Sequence, residues 1–402
     1  MDNKKLGYEI TAIAAGLDTF ERIVNKGKGI IDDEGLIPLY LGRDLIQERK
    51  YGSWSGVDGD IEGMGSEIES LPDGPRKMFL GKLANSLRMA SLLFQGGSAS
   101  FVDKLEKLVG VPAQPLADSF IEGLGNALEE ELNTAGFSSG SLRDKVTSWE
   151  QSGTIDPEHL DDVFKELVVE AQKRTDSMIV DTEGYHMVLN PVRDMHYSAR
   201  CNFSEGKMDL NVDNRFTRFA MKHLVAHEIF PGHSTQNIYT LSSYKRGTAT
   251  ADVLLCSLNG ITGVIQEGIG DQGVELIDWI EDRDDVIQAL LRRYQSAVAT
   301  QAAWKINMEG MGDEQAYTYM RDIGAMQEAR IKGRIHMARH PFRSAFISSY
   351  FYGNEAVRRV RLAVQGDEER RKRFIEELYG TMHSPESLCK STGVAYRSYG
   401  DE

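Results

Sequence analysis

A chain of 402 residues is long enough to bury a deep core, as one large domain or as two lobes around a cleft. Its 46 Lys and Arg against 61 Asp and Glu leave a formal charge of −15, which repels a phosphate backbone and argues against nucleic acid as a partner. Cys201, Cys256 and Cys389 are widely spaced with no CxxC pair, so neither a disulfide framework nor a thiolate metal site is expected, and a cytoplasmic location fits.

Helical patterning dominates from the start. A first helix is expected near residues 4–26, and the polar residues that interrupt "MDNKKLGYEITAIAAG" argue against a signal peptide. From Tyr51 to Gly74, the glycines at 52, 56, 59, 63, 65 and 74 break the pattern and predict a long loop. Pro75 suits a first helical position; Phe79, Leu83, Leu87 and Phe94 follow near helical spacing, and Gly96-Gly97 ends the helix near Gln95. Further helices are expected over 115–133, after Asp156-Pro157 through Leu160, Val163, Phe164 and Leu167, and over 281–305, 320–337 and 366–379. Strand-like sequence is scarce. "SEGKMDLNV", Ser204 to Val212, has a turn signal and then alternates, predicting a short strand just ahead of a histidine-bearing helix. A free strand edge there would bind extended peptide. No segment holds about 18 uninterrupted apolar residues, so no membrane partner is expected.

The chemistry concentrates in "KHLVAHEIFPGHSTQ", Lys222 to Gln236. In HExxH the two histidines lie four residues apart, about 400° around a helix, and share one metal ion. Here His227 and His233 lie six apart. A straight helix would set them roughly 120° out of line, so the helix must break between them. Pro231 lacks the N–H that would bond the His227 carbonyl, and Gly232 can take backbone angles other residues avoid. A rival pair, His223 with His227, has the ideal spacing without a break. It leaves Glu228 after the second ligand and Pro231-Gly232-His233 unexplained, so His227 with His233 is preferred.

"HEIFPGH" resembles the HExxPGH signature of the domain-of-unknown-function 885 family, whose fold is similar to helical zinc carboxypeptidases and oligopeptidases of the carboxypeptidase Taq and neurolysin type. "QEGIGDQ", with Glu267-Gly268, matches the family's downstream Glu-Gly pair. "SSYFYG", with Ser349, Tyr350 and Gly353, fits its Ser-Tyr-x-x-Gly pattern. The chain departs from the family at Ser234 and Ile269, where members usually carry a histidine and an aromatic. The resemblance implies a mainly α, two-lobed, zincin-like metallopeptidase with a small β-sheet beside the active-site helix. The lobes would be a helical one over residues 1–185 and a metal-binding one over 186–402.

Two imidazoles, a carboxylate and an open position form the usual catalytic zinc set. His227, His233 and Glu267 are the expected ligands of one zinc ion. Asp271, one helical turn after Glu267 and expected on the same face as Glu275, would orient a ligand histidine. Glu228 suits a general base, and Tyr350, or else Tyr352, an oxyanion donor or substrate contact. Arg339 or Arg343 would clamp a substrate carboxylate; His336 and His340, four apart on an expected helix, are read as supporting the site residues from behind or as structural. The expected activity is hydrolysis of short peptides from the C-terminal end. The same machinery would serve a non-peptide amide or ester, and a helical binding protein could retain the motif without turnover.

Overall fold

A computed structural model describes residues 2–27, 29–31, 36–37, 39–195, 199–256 and 259–400. It is 65% helix and 5% strand, a mainly helical protein with small sheets. Among the described residues no helix is long and apolar enough to cross a membrane. The chain forms two compact units, each assembled from separate stretches: Met1–Ala113, Gln236–Gly268 and His340–Ser398 in one, Gln114–Thr235, Ile269–Arg339 and Tyr399–Glu402 in the other. Residues 185 and 186, where the sequence reading divides the lobes, both fall in the second unit. The helices His233–Lys245 and Ile261–Asp271 contribute residues to both.

In the first unit, the helix expected from Pro75 spans Pro75–Phe94, with the proline at its first position. The glycine-rich stretch ahead of it is not a loop but the helix Trp54–Glu69. Ser53 caps it by accepting the Gly56 N–H at 3.3 Å, and Val57, Ile61, Met64 and Ile68 form one buried stripe. Each glycine costs a helix about 0.5–1 kcal/mol relative to alanine, whereas each buried aliphatic side chain contributes about 1.5–3 kcal/mol. The stripe outweighs the glycines, and Gly59 and Gly63 face open space. Elsewhere in this unit the helices Ile261–Asp271 and Ser349–Ala363 cross at Gly268 and Gly353. A Cβ on Gly268 would overlap the Gly353 backbone, and one on Gly353 would overlap the Val264 carbonyl. The glycines of the Glu-Gly pair and of "SSYFYG" are therefore the two sides of one close helix crossing.

In the second unit, the predicted strand forms over Lys207–Asn211, but as the centre of a three-stranded sheet. Val188–Val192 pairs with it in parallel and Ala199–Asn202 antiparallel, so Met208 has both Leu189 and Cys201 as neighbours. With both ladders occupied it has no edge for a peptide, and that expected role is withdrawn. Met208 and Leu210 are buried in one core with Met221, Val225, Ile229 and Phe230, which puts the sheet beside the histidine helix. The region expected as one helix over 320–337 is two, Asp313–Asp322 and Glu328–Arg339, divided around Ala325 at φ 48°.

Candidate metal centre

The helix Arg218–Glu228 begins at Thr217, whose hydroxyl accepts the Ala220 N–H at 3.1 Å. The buried Lys222 ties it to neighbouring elements, reaching Asp285 at 2.6 Å and Glu281 at 2.8 Å under the Trp279 ring. One turn apart on this helix stand His223 and His227, both buried. The helix stops at Glu228 and a second starts at His233, so the break required by the histidine spacing is present. Carbonyls at the break are satisfied locally: Ser234 Oγ donates to Glu228 O, and the Thr235 N–H and hydroxyl to Ile229 O, each at 3.2 Å. Gly232 is needed for a different reason than expected. Its φ lies outside the left-handed region, but a Cβ there would overlap the His227 carbonyl. The resulting turn brings the His227 and His233 rings to 4.9 Å between centroids, with planes at 86°.

His227, His233 and Glu267 each offer a ligand atom, and these lie within 4.8 Å of one another; His223, His227 and Asp271 form a second such group. The charges separate the two. Asp271, buried at the end of its helix, has Oδ1 at 3.2 Å from His227 Nδ1, 3.5 Å from His223 Nε2 and 3.4 Å from Arg292 Nη2. A guanidinium at that distance repels a dication in the second group. In the first group, Asp271 stands 3.2 Å from His227 Nδ1, which would leave Nε2 for a metal, as in the carboxylate–histidine arrangement of zinc sites. Tetrahedral zinc ligands stand about 3.4 Å apart, so a spread of 4.8 Å closes onto one ion by small side-chain movements. The donor set fits zinc. Burial alone would raise the Asp271 carboxyl; the His223 and His227 imidazoles beside it and the Arg292 charge outweigh it and hold the group well below its usual range. Burial pushes the His223 imidazole down to about 4, against the pull of Asp271, so at neutral pH it is uncharged.

Gly270, two residues after Gly268, is a feature the sequence reading passes over. A Cβ there would fall 2.7–2.8 Å from the His227 ring, and one on Gly273 would fall 2.7 Å from the Ala226 carbonyl. The signal was present as the G-x-G-x-x-G spacing of Gly268, Gly270 and Gly273, used here for close packing within helical structure.

No family profile matches the chain, and no curated sequence does. Among solved structures, the chain is similar to a candidate lipoprotein from Colwellia psychrerythraea, with a TM-score of 0.55, 14% identity, and coverage of 85% of this chain and 69% of that one. It is also similar to a candidate lipoprotein of unknown function from Shewanella oneidensis, with a TM-score of 0.52, 12% identity, and coverage of 83% and 72%. At these identities the likeness shows a shared fold.

The remaining expected residues divide. Glu228 is half-buried as the last residue of its helix, directly after His227. Tyr350 is half-buried in the first turn of Ser349–Ala363, with its ring edge-on to Phe346. Tyr352 is 2% exposed and its hydroxyl donates to Ser398 O at 3.2 Å, which removes it as a substrate contact. Arg339 is at the surface, 2.8 Å from Asp313 and 2.9 Å from the Met311 carbonyl. Arg343 is half-buried at the start of the turn Arg343–Ser348, and its N–H donates to His340 Nδ1 at 3.1 Å. His340 lies past the end of the helix Glu328–Arg339 rather than on it, and its ring also accepts the Phe342 N–H, a structural role. His336 is exposed. Glu275 sits on the separate short helix Gly273–Leu276, since the helix carrying Glu267 ends at Asp271.

Proposed function

We propose that this protein is a zinc-dependent metallopeptidase of the domain-of-unknown-function 885 type, hydrolysing short peptides from the C-terminal end. The observation that carries the reading is the convergence of His227, His233 and Glu267, with Asp271 behind His227. His227, His233 and Glu267 would hold the ion. Zinc in such a set supplies Lewis acidity, polarising a carbonyl and acidifying water. Asp271, 3.2 Å from His227 Nδ1, would take the N–H of that nitrogen and so fix the tautomer and the ring direction. The Glu228 carboxylate takes a proton from the attacking water and delivers it to the leaving amine nitrogen. Tyr350 donates a hydrogen bond from its phenol to the developing oxyanion and keeps its proton, so no permanent charge is added. The three free cysteines support the cytoplasmic location.

The test combines composition and turnover. Protein purified without added metal is analysed for zinc, then digested against a peptide library read by mass spectrometry. Stoichiometric zinc with C-terminal trimming is expected, and Glu228→Gln should retain the zinc and lose about 10²–10⁴-fold in rate. Wild-type hydrolysis by Glu228→Gln removes the general-base assignment. Zinc without cleavage of any peptide removes the peptidase reading.

A further inference from the structure

The helix Ile261–Asp271 meets the His227 side chain at Gly270, a buried residue in its last turn. A Cβ on Gly270 would stand 2.7 Å from His227 Nδ1 and 2.8 Å from both Cγ and Cε1. The near equality of the three distances sets that position over the face of the imidazole. An approach in the ring plane toward Nδ1 would leave the other two atoms much further away. The bare Gly270 Cα therefore bounds one face of the ring, while the next residue, Asp271, stands 3.2 Å from its Nδ1. The His233 ring packs against the same imidazole at 86°, with 4.9 Å between centroids.

Which partner yields to a side chain at position 270 decides what the glycine is for. Two residues earlier on the same helix, a Cβ on Gly268 would overlap the Gly353 backbone, so this helix is already seated backbone on backbone. Packed backbone moves only with its whole helix, whereas an imidazole swings on two torsions. The ring yields first. Carbon atoms in ordinary contact stand about 3.5–4.0 Å apart, so a methyl group at 270 would drive the imidazole back by roughly 1 Å. Zinc sites tolerate only about 0.2 Å in their ligand distances. A helix also favours alanine over glycine, so the helix itself gives no reason for a bare position here.

We propose that Gly270 is a positioning residue for the metal ligand His227. Its bare Cα sets the plane of the ring, Asp271 stands at the Nδ1 side, and two successive residues thus hold the imidazole in place before an ion arrives. This role rests on the metal-dependent reading given above.

The experiment reads metal affinity and stability, not turnover. Full-length protein stripped of metal is titrated with zinc in competition with a chelator. Gly270→Ala should bind zinc about 10–100-fold more weakly, the range for losing a group that supports a metal ligand. Gly153→Ala is the control, because its methyl group would overlap the ring of Phe219, two turns before His227 on the same helix. That variant should lose stability in urea and keep its zinc affinity. A four-way comparison of metal-free proteins then tests the contact itself. Gly270→Ala should lower the urea midpoint with histidine at 227, but not in the His227→Ala background, where no ring stands in the way. Where Gly270→Ala alone does not fold, recovery of the fold in the double variant sustains the assignment, and failure to recover overturns it. Equal zinc affinity in the wild type and Gly270→Ala, or an equal loss of midpoint in both backgrounds, overturns the role of Gly270 and leaves the metal reading standing. A wild-type protein that binds no zinc removes the metal reading, and the positioning role with it.

Discussion

The Nδ1 atom of His227 stands 3.2 Å from Oδ1 of Asp271, and the same oxygen lies 3.4 Å from Arg292 Nη2. One carboxylate thus stands beside the candidate ligand and balances part of a half-buried guanidinium. Its removal should be felt in metal affinity more than in fold. Asp271→Asn is expected to weaken zinc binding about 10–100-fold, measured by competition with a chelator. Unchanged affinity would assign Asp271 to packing alone.

The two overlapping ligand groups separate by metal content. His233→Ala should abolish stoichiometric zinc, because the ring placed by the Pro231-Gly232 turn belongs only to the group His227, His233 and Glu267. His223→Ala should leave zinc bound, since His223 faces Asp271 and is neutral at physiological pH. The reverse pattern would establish the four-spaced pair and reduce the turn to a helix end.

The crossing of Gly268 and Gly353 predicts a stability effect that surface exposure would not suggest. Gly353→Ala places a methyl group onto the Val264 carbonyl, and Gly268→Ala places one onto the Gly353 backbone. Each should destabilise by about 1–3 kcal/mol, the cost of overpacking a filled core, read from urea unfolding. A neutral or stabilising result for both would mean that the crossing tolerates wider separation.

A buried ion pair predicts the acid response of the first unit. Arg76 meets Asp252 through two contacts of 2.7 Å, and Thr250 adds a hydroxyl at 2.6 Å. Burial raises the Asp252 carboxyl, but Arg76 and these hydrogen bonds prevail and set it below 3.8. A depressed folded pKa contributes stability above the unfolded value, lost as pH falls through the folded one. Arg76→Ala should cost about 3–5 kcal/mol at neutral pH. With the arginine gone, burial is opposed only by the Thr250 and backbone hydrogen bonds and the carboxyl rises relative to the wild type, so the variant's deficit should shrink as the pH falls toward 4. Urea unfolding at both pH values decides it; a deficit independent of pH would show that the pair contributes through packing.

What the sequence by itself determined were features set by residues near one another along the chain. The histidine spacing required a break, and Pro231-Gly232 marked where it falls, because helical geometry is a local constraint. Pro75 and the apolar stripe behind it placed a helix start to the residue. The helix Trp54–Glu69 was also locally encoded, in Ser53, Val57, Ile61, Met64 and Ile68, but the glycine count obscured a stripe whose worth depends on burial. Tertiary structure alone decided that Lys207–Asn211 is a central strand, since its neighbours come from segments on its far side of the chain or across a turn. It alone decided that Arg339 meets Asp313 at the surface while Arg330 reaches Gln295, one helical turn beyond Arg292. Electrostatic meaning depends on separation in space and on dielectric, and neither is written in the spacing of charges along a chain.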